Sequence, residues 1–124
     1  MTTNTEGYTL PGFVASATLA AAQFKIVKLA STAGQVKLAA AATDPIVGVL
    51  NNNPGAAEAA EIQYTGVAKV LAETSVGIGD LVAASSTGRA KTTTTGNDKV
   101  LGRALDASGQ AGDLIRVLLS LSNY

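Results

Sequence analysis

The chain contains no histidine, no cysteine and no tryptophan. Their absence removes the commonest general base near neutral pH, the thiolate nucleophile, and the imidazole and thiolate ligands of most transition-metal sites. Chemistry would have to rest on carboxylates, lysines or hydroxyls, and these lack the company that catalysis needs. Ser31, Ser75, Ser85, Ser86, Ser108 and Ser120 have no histidine to activate them, and no G-x-S-x-G elbow occurs. Gly77, Ile78, Gly79 and Asp80 lack the longer glycine pattern and the following Lys and Ser or Thr of a phosphate loop. Asp44, Asp80, Asp98 and Asp113 each flank a turn without D-x-D-x-D-G spacing, so they read as caps of local amides and not as calcium ligands. Glu58 and Glu61, set among alanines, read as a solvated rim and not as a catalytic pair. No catalytic residue, metal or cofactor is expected.

Other scarcities narrow the class further. Without cysteine there is no disulfide, and redox usage does not indicate a compartment. Nine basic and nine acidic residues cancel and lie scattered, without the clustered lysines and arginines that neutralise phosphates, so a nucleic-acid partner is not expected. No apolar run approaches the roughly 18–20 residues that cross a bilayer, so no membrane partner is expected. The stretch 13–22 is broken by Ser16 and Thr18 and follows Glu6 instead of a basic region, which does not suit a signal peptide. The chain reads as soluble and unexported. The aromatic residues are only Tyr8, Phe13, Phe24, Tyr64 and Tyr124, and much of the 47% apolar content is alanine. One domain with a thin core is expected at this length, with burial between copies supplying stability that a monomer lacks.

What is present is punctuation. At an offset of 54, ASTAGQVK (residues 30–37) aligns with ASSTGRAK (84–91), DPIVG (44–48) with DKVLG (98–102) and IVKLAS (26–31) with DLVAAS (80–85), all without a gap. The matched Gly and Asp positions are those where backbone geometry restricts the choice, which supports a two-fold repeat spanning about 24–72 and 78–121. Each copy has the order of a β-meander. Strands are predicted at 26–30, 35–39 and 46–50, and again at 81–85, 89–93 and 100–105, with turns at 32–34, 44–45 and 86–88. Residues 61–73 alternate Ile62 and Tyr64 with Gln63 and Thr65 as a half-buried strand does, and 113–121 is apolar enough for a strand covered on both faces or by a neighbouring subunit. Alanine favours helix at 17–22 and 55–60, but each stretch is too short to be stable alone, so loops or single turns are expected. Asn51, Asn52, Asn53 and Pro54 form a loop on composition. Residues 1–12 read as an extended arm and 13–124 as a single all-β domain, a small barrel or tulip-like sandwich. The four threonines 92–95, opposite alanines 39–42 in the repeat, suit a solvated strand edge.

Three segments together resemble a known family: IVGVLNNNPGAAEAAEIQYTGVAKV (46–70), GDLVAASSTGRA (79–90) and VLGRALDASGQAGDLIRVLL (100–119). Their ordered series is similar to the capsid cement, or head decoration, proteins of tailed bacteriophages, over roughly residues 24–119. The resemblance implies a structural virion protein on the capsid exterior, made in the host cytoplasm, that stabilises the expanded head. It implies a β-barrel-like domain, a homotrimer, the major capsid protein as partner, and no catalytic residues. In such proteins the N-terminal arm pairs with capsid segments by strand addition, and Thr2, Thr3, Asn4, Thr5, Tyr8 and Leu10 are placed to do so. Asn51, Asn52, Asn53, Pro54, Arg103 and Arg116 are the candidates for subunit or loop contacts. The alternatives are another virion part, such as a head fibre base or tail component, and a small ligand-binding β module, which would need a polar pocket that the sequence does not suggest.

Overall fold

The structure is a computed structural model that describes Thr9, Leu10 and residues 12–124. Eleven strands and no helix are found among the described residues. They are β1 (Thr9–Leu10), β2 (Val14–Ala15), β3 (Ile26–Leu29), β4 (Gln35–Leu38), β5 (Ile46–Leu50), β6 (Ile62–Gln63), β7 (Val67–Leu71), β8 (Leu81–Ala84), β9 (Ala90–Thr92), β10 (Lys99–Ala104) and β11 (Leu114–Asn123). The all-β, single-domain expectation holds, and the alanine-rich stretches 17–22 and 55–60 are irregular or turn, as runs too short to form a stable helix should be.

The strands form two sheets, ordered β1-β6-β5-β3-β4-β2 and β7-β11-β10-β8-β9. The order in the second sheet is that of the first five strands of the other. Each sheet also curls back on its starting segment. Beyond β1 the chain crosses to the far edge, where Ala15 of β2 pairs in parallel with Val36; beyond β7, Ala72 makes a parallel bridge to Ala90 of β9. The same amide bond follows in each half, from Ser16 N to Val36 O at 2.9 Å and from Glu73 N to Ala90 O at 2.8 Å.

Three expectations need correction. The strand β7 does not close the first half: it pairs with β11 along five register positions and so opens the second. The chain passes between sheets at 64–66, and an alternating pattern in one segment carries no information about which sheet its strand joins. Second, the repeat contains a gap. Strands β4 and β5 map onto β9 and β10 at an offset of 54, but β3 maps onto β8 at 55, because Ala30 N bonds Gln35 O whereas Ser85 N bonds Arg89 O, one turn residue fewer. Third, the domain begins before residue 13, since Thr9 and Leu10 pair with Gln63 and Ile62.

Repeated positions close repeated turns through the backbone. Asp44 N donates to Ala41 O at 3.2 Å, and Asp98 N to Thr95 O at 3.3 Å, closing the turn before the third meander strand in each half. Asp44 Oδ2 also accepts the amides of Ala40 (2.8 Å) and Ala41 (2.9 Å) and the Lys28 ammonium (2.9 Å). Burial by itself would raise its pKa, but the Ala40 amide, Lys28 and the Ala41 amide together outweigh it and hold the carboxyl below its ordinary value. A folded-state pKa below the unfolded one means stability that is present above about pH 4 and lost as pH falls through the folded value. Asp44→Ala is therefore expected to cost about 1–2 kcal/mol near neutrality, and urea midpoints of variant and wild type should converge in strong acid. A gap that stays constant down to the acid limit would refute the assignment.

The interior divides in two. Leu19, Ala22, Val27, Val36, Leu50 and Ile62 fill the first curled sheet, with Leu10 and Phe13 packed against them. Val70, Val82, Leu101, Ile115 and Val117 fill the second, joined by Ile26, Ala39 and Val49 from the first sheet. The second cluster is thus both an interior and the seam between halves. Alanine supplies much of each, so little area is buried per residue, in keeping with the thin core expected.

Candidate interaction surfaces

Residues in register across a sheet share a face, so the strand pairing defines the surface directly. In the first sheet Thr9, Gln63, Val49 and Ile26 make one row through β1, β6, β5 and β3. The matching row of the second sheet is Val67, Leu118, Arg103 and Leu81, through β7, β11, β10 and β8. The two have opposite fates. Ile26 and Val49 are fully buried and Gln63 is 3% exposed, whereas Leu118 is 45% exposed and Arg103 is exposed beside it. Burial along β11 alternates as far as Leu119, so within one chain the apolar run 113–121 is covered on one face and open on the other; of the two expectations, cover on both faces by the chain itself is set aside and cover by a neighbouring subunit is left. Leu114 and Leu121 are also exposed.

Of the arm candidates, Thr2, Thr3, Asn4, Thr5 and Tyr8 lie outside the described residues. Leu10 is in register with Ile62 and half-buried against the first core, so it is committed to its own sheet instead of being free in an arm. The side chains of the asparagine loop make hydrogen bonds within their own chain. Asn51 Nδ2 donates to Gln63 Oε1 at 3.1 Å, Asn52 Nδ2 donates to Ala59 O at 3.1 Å, and Asn52 Oδ1 accepts Glu61 N at 3.1 Å. Asn53 exchanges two bonds with Gln23, its Oδ1 accepting the backbone amide at 3.0 Å and its Nδ2 donating to Oε1 at 3.2 Å. Pro54 is buried and its carbonyl accepts Leu19 N at 2.8 Å. Asn53 and the Pro54 carbonyl thereby tie Gln23 and Leu19 to the loop, and Asn51 and Asn52 tie the loop to residues 59–63.

Arg116 Nε and Nη2 each donate to Asp106 at 2.9 Å, and Asp106 also accepts the Arg116 amide at 3.0 Å. The Arg116 side chain is the leading reason that the Asp106 carboxyl sits below its ordinary pKa, against a smaller effect of burial. Arg103 is placed differently. Its Nη1 donates to Gly79 O at 2.7 Å, which leaves the rest of the guanidinium at the surface between Leu81 and Leu118. The structure therefore brings Arg103 together with two leucines that sequence reasoning missed. The repeat was the available signal, since it sets Arg103 opposite Val49.

The geometry defines a small all-β domain of two equivalent curled sheets, one with its outer row covered and one with it open. No family model matches the chain, nor does any curated protein. Among solved structures, the fold is similar to the crystal structure of the head fiber gp8.5 N base in bacteriophage phi29, with a TM-score of 0.70 and 16% identity over 97% of this chain and 98% of that one.

Proposed function

We propose that the chain is a structural component of a bacteriophage virion, seated on the exterior of the head through the major capsid protein and assembled as a homotrimer after synthesis in the host cytoplasm. The observation that carries this reading is the likeness to a head fibre base over nearly the full length of both chains. The sequence resemblance to capsid cement proteins supports the same location by an independent route. Cement and fibre base differ in consequence. A cement protein occupies many lattice positions and raises the strength of the shell by binding only its native, expanded form, whereas a fibre base anchors an appendage.

Adding purified protein to emptied, undecorated heads of the cognate phage tests both. Saturable binding in high copy number with a raised thermal rupture point is the expected result, and it identifies a cement. Binding in low copy number with an unchanged rupture point supports the fibre-base reading, and absence of binding refutes a head location. The informative truncation removes residues 1–8 alone, because Thr9 and Leu10 belong to the sheet. If the arm docks by strand addition, that truncation should lower affinity by at least about tenfold while leaving the melting transition in place.

A further inference from the structure

We propose that the open face of the second sheet, centred on Arg103 between Leu81 and Leu118, is a docking surface for an acidic protein partner, one that sets carboxylates beside apolar side chains. The first half supplies the comparison. Its equivalent row, Ile26, Val49 and Gln63, carries no charge and is buried, and Ile26 and Val49 belong to the core of the second half. Where the chain covers its own surface the position is Val49; where it leaves that surface open the equivalent position is Arg103.

Another half of the same kind does not suit the open row. The interior of the first half is already filled by Leu10, Phe13, Leu19 and Ala22, and the interior of the second is apolar. Among the described residues the guanidinium bonds only a neutral carbonyl, from Arg103 Nη1 to Gly79 O at 2.7 Å. Burying a cation without a countercharge is strongly unfavourable. Whatever covers Leu81 and Leu118 also covers Arg103 between them, so the occupant has to bring the carboxylate.

The charge of the whole face points the same way. The strands of the second sheet hold Lys69, Lys91, Lys99, Arg103 and Arg116 and no aspartate or glutamate. Lys69 shares the outer side of β7 with Val67, since Ala68 and Val70 between and beyond them are in the core. The carboxylates that flank the sheet are engaged elsewhere: Asp106 by Arg116, Asp80 by Gly77 N at 2.9 Å and Thr92 Oγ1 at 3.0 Å, and Asp113 by Gly109 N at 3.0 Å. Arg103 and Lys69 make no ion pair among the described residues. A depression of about 370 Å³ lies over the row, lined by Leu81, Val100 and Leu118 and by the polar groups of Arg103, Ser120 and Ser122. Guanidinium and hydroxyls can all donate to a carboxylate while the leucines give apolar contact beside it. The inference deepens the proposed function, and rests on that reading for the partner's identity, the major capsid protein.

Emptied, undecorated heads of the cognate phage and the full chain test it. Arg103→Glu and Leu118→Ser should each weaken head binding by at least about tenfold, with the circular dichroism spectrum unchanged because both side chains are exposed. Lys37→Glu, the same change of charge sign at an exposed position of the first sheet, should leave binding intact. A water-soluble carbodiimide should join the Lys69 amine of bound wild type, and the new amine of Arg103→Lys, to aspartates or glutamates of the head, as read by mass spectrometry. Wild-type affinity in both Arg103→Glu and Leu118→Ser overturns the surface and leaves the virion reading standing. Absence of head binding by the wild type refutes the virion reading, and the surface is then decided by amide NMR shifts of the free chain titrated with a glutamate–tyrosine copolymer, with a lysine–tyrosine copolymer as control. Shifts centred on Leu81, Arg103 and Leu118 that Arg103→Glu abolishes uphold it; no shift there overturns it. An oligomer of the free chain that Leu118→Ser disperses also overturns it, because the occupant is then a second copy.

Discussion

Gly102→Ala is expected to be among the most damaging single substitutions in this chain, lowering the melting temperature by roughly 10–20 °C for a loss of about 3 kcal/mol or more. A Cβ on Gly102 would lie 2.0 Å from the carbonyl oxygen of Leu118, well inside contact distance, and the obstacle is backbone that cannot rotate away. Relief requires β10 and β11 to part where Gly102 pairs with Leu119, beside the irregularity between Val100 and Gly102. The repeat supplies an internal replicate. Gly48, the equivalent residue of the first sheet, would place its Cβ 2.2 Å from Gln63 O and has a φ of +155° that side chains rarely adopt. Gly48→Ala should therefore be at least as harmful. Gly109→Ala is the matched control, since nothing lies within 4 Å of its Cβ, and it should stay within about 0.5 kcal/mol of wild type. Thermal denaturation followed by circular dichroism reads all three. Wild-type melting of Gly102→Ala would show that the strands separate there freely, and the equivalence of the two crossings would lose its energetic meaning.

These two glycines are also where the sequence was most legible. Gly48 and Gly102 align at an offset of 54 together with Asp44 and Asp98, and each pair does the same work in its own half. The meander strands were readable for a related reason: β-branched runs bounded by Gly and Asp turns confine a strand locally. Other features have no local signal. Strands β1 and β2 are two residues long, too short for any period, and they exist only because β6 and β4 offer edges to pair with. Membership of β7 in the second sheet is a tertiary choice, made where the chain crosses after Gln63. The asparagine loop is legible as a loop from composition, whereas its bonds to Gln23 span thirty residues and have no local signal. The open row is hidden in the same way. Leu81, Arg103 and Leu118 sit on three strands, and only the register makes them neighbours.

The same register gives Gln63 a role that its sequence position conceals, and replacing it should produce a pH-dependent loss of stability. Gln63 is the counterpart of Leu118 in the covered row, and burial of an amide there is tolerated because its hydrogen bonds are met. Its Nε2 donates to Thr65 O at 3.0 Å and Val67 O at 2.8 Å, and its Oε1 accepts from Asn51 at 3.1 Å. Those bonds hold the passage from β6 to β7, the stretch by which the chain leaves one sheet for the other. Gln63→Leu removes both donors and the acceptor and is expected to cost about 2–4 kcal/mol, less than three fully buried losses because the carbonyls of Thr65 and Val67 are only half-buried. Gln63→Glu keeps the shape and tests the electrostatics. Its ionised carboxylate would retain the acceptor for Asn51 but face two carbonyl oxygens without a proton to offer, in a site removed from water. The folded-state pKa of the new carboxyl should then rise above the unfolded value of about 4.3. With the folded state binding the proton more tightly, stability is greatest below that unfolded value and falls as pH rises toward the folded one. Urea midpoints of Gln63→Glu and Gln63→Leu across mildly acidic to neutral pH read this directly. The Glu variant should be the more stable of the two in acid, where a protonated carboxyl restores one donor, and should lose that advantage toward neutrality. A difference that does not vary with pH would mean that the crossing is held by packing and not by the Gln63 amide.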